Sequence, residues 1–194
     1  MAKAKPGRPR SEKSRKAVLK ATHDLLKETG GAGVTIEAIA RRAGVGKPTL
    51  YRWWPGLADI VLEVLLVQAD KEIPVPAFQS LQATLGQFLR QSMLALEWSG
   101  VHLRFLMAQA QKDADFGQRF RENFVAKRRA VLNSIFLQAV ERGQINPGQN
   151  LELLADMVFG AMWYRLLTGH SSLNQAFAHE LTETIMGLVQ PRPA

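Results

Sequence analysis

The feature that most restricts the fold of this chain is the spacing of its apolar residues. From Val18 to Leu188 they recur three and four positions apart, and nowhere do they alternate with polar residues for long enough to suggest a strand. Val18, Leu19, Thr22, Leu25 and Leu26 form the first such stripe, which Gly30, Gly31 and Gly33 stop. Ile36, Ile39, Ala40 and Ala43 form a shorter one, with Thr35 suited to cap its start and Gly44 to end it. A third short helix is expected from about Lys47 to Trp53, with Pro48 in its first turn. Pro55 and Gly56 then break the chain before a long apolar helix from Leu57 to about Ala69. Beyond Pro74 and Pro76 the periodicity remains helical. Leu81, Leu85, Phe88, Leu89 and Leu96 define one face, and Val101, Phe105, Leu106 and Ala110 another. A long helix follows Asp115 and runs to Gly143, a second covers Leu151 to Leu166, and a last one holds Leu173, Phe177, Leu181, Ile185 and Leu188. The expected fold class is all-α.

Length and charge divide the chain further. At 194 residues it suits one large domain or two small ones. The absence of cysteine excludes a disulfide framework, a thiolate zinc site and a cysteine nucleophile. No uninterrupted apolar run approaches the roughly 20 residues of a membrane span, and no apolar segment follows the basic start as a secretory signal requires. The expected compartment is therefore the cytoplasm. Residues 1–60 contain 13 Lys and Arg against 5 Asp and Glu, whereas residues 61–194 contain 12 of each. The whole net charge of +8 thus belongs to the first third, which points to a basic segment that meets a polyanion and a neutral segment with another task.

Residues 34–54, VTIEAIARRAGVGKPTLYRWW, link these observations. Two short helices meet at Ala43-Gly44-Val45, the pattern of a helix-turn-helix whose second helix lies in the DNA major groove. Its expected exposed face has Lys47, Thr49, Tyr51 and Arg52, while Val45, Leu50 and Trp53 turn inward. Thr and Tyr hydroxyls can bond phosphate or base edges, and Lys and Arg can neutralise phosphate or read guanine.

This stretch, together with the ATHDLLKETG ending of the first helix and the helical remainder, resembles the TetR/AcrR family of bacterial transcriptional regulators. The motif-level resemblance covers about residues 15–65 and is one of length and architecture beyond them. It implies an N-terminal three-helix DNA-binding domain and a larger C-terminal helical domain that binds a small-molecule effector and forms a homodimer, with no enzymatic activity and no cofactor. The expected divisions are a flexible basic arm at 1–10, the helix-turn-helix domain at 11–56, a connecting helix at 57–73 and the effector and dimerisation domain at 74–194. The resemblance makes Thr35 a phosphate contact and assigns Gly46, Lys47, Pro48, Thr49, Tyr51 and Arg52 to the recognition element. Two positions depart from the family pattern. Gly56 and Leu57 replace a frequent Ser-Lys pair, removing one phosphate contact, and Gly46 replaces a serine.

Other features admit two readings each. Arg8 and Arg10 of the GRPR arm either enter the minor groove beside the recognition helix or are held near DNA by charge alone. Trp98, His102, Phe105, Met107, Phe159, Met162, Trp163 and Tyr164 are suited to an apolar pocket with a few polar handles, and equally to plain core. For dimerisation the expected elements are the helices near 118–142 and 150–168, with Ala155, Gly160 and Ala161 permitting close approach. Lys127, Arg128 and Arg129 read as a solvated helix face. His23, His102, His170 and His179 have no metal-ligand spacing, and no phosphate-cradling loop or nucleophile elbow is present, so no metal site is expected. The alternatives to a specific double-stranded DNA regulator are a non-specific DNA-architectural protein and a helical small-molecule-binding protein or enzyme.

Overall fold

The computed structural model describes residues 11–30, 33–72 and 76–189, the side chains of 69–72 excepted. Arg8, Arg10 and the rest of the expected basic arm lie outside the described residues, as does Pro74. The described residues are helical, without strands, and the chain divides into two compact units, Met1–Val64 and Leu65–Ala194.

The first unit is built from α1 (Glu12–Thr29), α2 (Ile36–Ala43), α3 (Lys47–Tyr51) and the opening half of α4 (Leu57–Glu72). Each start has a chemical reason. The Ser11 hydroxyl accepts from the Ser14 N–H to open α1, and the Thr35 hydroxyl accepts from the Ala38 N–H at 3.1 Å to open α2. Gly44 ends α2 at φ 65°, a left-handed conformation that a side chain would strain, while the Val45 N–H bonds back to the Ala40 carbonyl. The turn can then fold α3 back, and Leu50 becomes fully buried with Val18, Leu26 and Ile39. Burying such a leucine contributes about 2–3 kcal/mol. Trp54, rather than Trp53, is the buried indole; Trp53 and Val45 are only half-buried, because α3 ends at Tyr51, earlier than its apolar pattern suggests. The Trp54 Nε1–H donates to Glu63 on α4, and Glu63 also pairs with Arg15 on α1.

The second unit is organised on α5 (Leu81–Lys112). Its 32 residues give a length of about 48 Å. The two apolar faces read separately in the sequence belong to this one helix, which Ser80 caps. After Asp113, which caps the next helix by accepting from the Phe116 N–H, come α6 (Ala114–Phe120), a five-residue π-helical segment (Arg121–Val125) and α7 (Ala126–Glu141). The single helix expected after Asp115 therefore starts slightly earlier and has a change of winding in it. Phe116, Phe120 and Phe124 stack along this run, with ring centroids 6.3 and 5.5 Å apart. α8 (Leu151–Thr168) and α9 (Gln175–Leu188) begin at Asn150 and Asn174, whose side chains accept from the N–H three residues on. Leu85, Phe88, Leu89 and Met93 of α5 pack with Leu132, Phe136, Ala155, Val158, Phe177 and Ile185 in one core.

The corner between α5 and α6 depends on Gly117. A Cβ there would stand 2.9 Å from the carbonyl oxygen of Ala110, a backbone atom that cannot swing aside. Gly117→Ala should therefore destabilise the protein by about 1–3 kcal/mol, and thermal unfolding followed by circular dichroism should show a fall of several degrees; an unchanged midpoint would mean that the corner is not tight.

Candidate nucleic-acid interface and ligand cavity

The turn at Gly44 and the burial of Leu50 leave the opposite side of α3 to solvent. Lys47, Pro48, Tyr51 and Arg52 are exposed, Tyr51 to 57%, and Thr49 is half-buried. Gly46 is the N-cap of α3 and contributes no side-chain hydrogen bond; a Cβ there would meet only Pro48 Cδ, at 3.6 Å, so the missing serine is not a steric necessity. Thr35 is exposed, and its oxygen already caps α2. The hydroxyl proton remains directed by whatever acceptor approaches, as a phosphate contact requires.

Several cations of this unit are matched to acids. Lys47 Nζ bonds to the Glu37 carboxylate of α2. This hydrogen bond holds the Glu37 carboxyl below the usual glutamate range and raises the Lys47 ammonium above the usual lysine value. Arg42 forks onto both oxygens of Glu28 at 2.7 and 2.9 Å, tying α2 to α1, and its pKa is raised by that bond. Glu37 was not singled out from the sequence, because a partner ten residues away across a turn has no local periodicity to reveal it.

The second unit encloses a cavity. One wall is α5, where Phe88, Ser92, Ala95, Ser99 and Leu103 follow one helical face; Phe124, Arg128, Phe159, Met162 and Trp163 close it from α8 and from the π-helical segment and α7. Its empty space is about 540 Å³ including the open mouth, and about 50 Å³ of it is wide enough for the centre of a water molecule. Of the eight residues expected at a pocket, Trp98, Phe159, Met162 and Trp163 are in the lining. The other four are not. His102 is buried beside Trp98, with ring centroids 5.7 Å apart; Phe105 and Met107 lie half-buried elsewhere on α5; Tyr164 is 64% exposed with its ring 4.8 Å from that of His170. The reason is helical phase, since Tyr164 is one step of about 100° from Trp163.

The basic cluster of α7 is also corrected. Lys127 is exposed, but Arg128 is half-buried in the cavity wall, and Arg129 bridges to α8 by donating to Asp156 and Glu152 at 2.5 Å each. Ala155 is fully buried in the unit's own core, so it cannot serve as a contact between subunits. Among the described residues there is no group of three or more His, Asp or Glu placed to hold a metal ion, and no helix is long and apolar enough to cross a membrane.

A capped helix pair with an exposed basic recognition face, joined to a separate helical unit with a cavity, defines a helix-turn-helix DNA-binding protein. Residues 18–64 match the model of the tetR family of bacterial regulatory proteins, and residues 75–185 match the tetracycline repressor-like C-terminal domain. The chain belongs to the TetR family and is a transcriptional regulator. It is 29% identical over 192 residues to the HTH-type transcriptional regulator YdeS of Bacillus subtilis, covering 98% of this chain and 97% of that one. It is 27% identical to the regulator AqdR of Rhodococcus erythropolis, over 75% of this chain and 70% of that one. The crystal structure of the TetR family regulator SCO0332 superposes with a TM-score of 0.76 at 32% identity, covering 93% of this chain and all of that one, 100%.

Because the Glu37 pKa is lowered by its bond to Lys47, the stabilisation from this pair is present above the usual glutamate pKa and is lost as pH falls through the folded-state value. An NMR titration of the side-chain carboxyl should find Glu37 titrating below the usual range, and Lys47→Met should return it. No change on that substitution would mean that the pair does not persist in solution.

Proposed function

We propose that this regulator is a ligand-responsive homodimeric repressor acting in the cytoplasm on a pseudo-palindromic DNA operator. The observation that supports this best is the exposed row Lys47, Tyr51 and Arg52 on a short helix whose other side is locked by Leu50. Each subunit places this row in a major groove, with the Tyr51 and Thr35 hydroxyls on phosphates and Lys47 and Arg52 on phosphate or guanine. Gly46 and Pro48 set the approach of the backbone at the start of α3. Arg8 and Arg10 contribute two of the positive charges of the first third of the chain.

Dimerisation is supported by the outer side of α8. Leu153, Met157, Gly160, Tyr164 and Leu167 succeed one another at intervals of four and three residues, and the four side chains are between 42% and 64% exposed. Gly160 has no heavy atom within 4 Å of where a Cβ would stand, so a second backbone can come close there. An apolar stripe of this spacing is the seam of a left-handed helix pair, and α7 offers Leu137, 53% exposed, beside it. A second copy of the same chain covers this stripe, because a two-fold operator needs two heads at a fixed spacing. A small effector enters the cavity of the second unit and favours a dimer whose heads are wrongly spaced for the operator. α4, which has residues in both units, transmits the change.

Selection of fragments from a random DNA pool tests the reading. The expected result is a palindromic motif bound about 10³-fold or more tightly than random DNA; salt-sensitive binding without any preferred sequence would favour an architectural protein instead. With the operator in hand, Tyr51→Phe should weaken binding about equally across sequences. Lys47→Ala should either lower the salt slope by about 1 or relax one base position. Wild-type behaviour in both would overturn the assignment of α3. Replacing Leu153 and Met157 with glutamate should give a folded monomer by analytical ultracentrifugation, with half-site binding only.

A further inference from the structure

Lys47 opens α3 and Glu37 lies in the first turn of α2, so their side chains can meet only across the turn at Gly44. They do meet: Lys47 Nζ donates to Glu37 Oε1, while the two side chains stay 50% and 61% exposed. An exposed ion pair of this kind adds little to stability and is screened by salt. Its position is nevertheless unusual. A carboxylate stands two residues from Thr35, within hydrogen-bond reach of the first residue of the recognition helix, in the third of the chain that carries the whole net positive charge. Such a group opposes the approach of DNA of any sequence.

The donors of Lys47 show what the carboxylate can do in exchange. An ammonium has three N–H donors and no acceptor. The bond lowers the Glu37 pKa and raises that of Lys47, so at neutral pH both groups stay charged and all three protons stay on Nζ. With one donor engaged by Glu37, two remain. In the major groove guanine presents two acceptors, O6 and N7, whereas adenine and thymine each present one and cytosine presents a donor. An ammonium with two donors therefore matches the edge of guanine alone. A phosphate is the poorer partner, because its oxygens would stand beside the Glu37 carboxylate and two anions would share one cation. The residues at the start of a recognition helix are also those that reach base edges.

We propose that Glu37 is a positioning residue that sets sequence specificity: it engages one proton of the Lys47 ammonium and leaves the other two for O6 and N7 of a guanine in each half-site. This rests on the operator reading above and decides between the two partners it allows Lys47. The carboxylate lowers affinity for all DNA, but lowers it most where Lys47 would otherwise take a phosphate. Specificity is that difference of affinities, obtained with a repulsive group as well as an attractive one.

The full-length protein and its Lys47→Ala, Glu37→Ala and Glu37→Gln variants test this by titration, over a range of salt, with the selected operator, the operator substituted at each position in turn, and a random duplex. In the wild type, replacing one guanine of a half-site should weaken binding about tenfold. That preference should fall to about twofold or less in Lys47→Ala and Glu37→Ala, and to an intermediate value in Glu37→Gln, whose neutral amide makes a weaker bond. The slope of log affinity against log salt should be nearly the same in the wild type and Lys47→Ala, and about 1 steeper in Glu37→Ala, where the released lysine takes a phosphate. Glu37→Ala should also bind the random duplex more tightly than the wild type does. A bond that only fastened α2 to α3 would instead weaken binding to all sequences together and leave each base preference in place. A salt slope lowered by about 1 in Lys47→Ala with all base preferences intact, or a guanine preference kept in both Glu37 variants, would overturn the proposal. An operator whose base preferences none of the variants alters refutes the positioning role and leaves the regulator standing, whereas selection of no operator refutes both.

Discussion

The burial of α5 is the constraint from which the second unit follows. This helix is the partner of α6, α7, α8 and α9. A 32-residue helix cannot be stable through its own hydrogen bonds in water unless its apolar faces are covered. Leu81, Leu85, Phe88 and Leu89 accordingly meet residues of α7, α8 and α9 in one buried core. Farther along, Ser92, Ala95 and Ser99 replace large residues with small ones on the same face. The small side chains leave room for the cavity, whose α5 wall Phe88 and Leu103 complete at either end.

The first unit solves a different problem, that of keeping a strongly basic surface folded and ready. Three of its cations also join helices. Arg42 is held by Glu28 and Lys47 by Glu37, and Arg15 by Glu63, so that side chains from separate helices are joined by the same charges that face solvent. Exposed pairs of this kind contribute little to stability individually and are screened by salt. Their use is geometric: a lysine held at the start of α3 spends less time elsewhere. The net positive charge of residues 1–60 supplies the long-range attraction toward DNA.

Much of this was legible in the sequence because it depends on short-range chemistry. Helix caps at Thr35 and Gly44, and the three- and four-residue stripes, report local backbone preferences, and the structure places α1 to α4 where those signals predict them, with α3 ending sooner. The outer stripe of α8 is readable too, since Leu153, Met157, Tyr164 and Leu167 recur at helical spacing. The choice between Trp53 and Trp54 is of a different kind. Adjacent tryptophans look alike in sequence, and the bond from the Trp54 indole to Glu63 decides which is buried.

The sequence by itself determined the helical class, the two-part charge distribution and the helix-turn-helix, because each is set by residues close together in the chain. The tertiary structure decided which aromatic residues face a cavity and which face a core or solvent. It also moved Arg128 from an apparently solvated basic face into the cavity lining, just after a π-helical segment that no residue pattern announces. Side-chain direction depends on helix phase to within a fraction of a turn, and phase is fixed only when α5, α7 and α8 pack together.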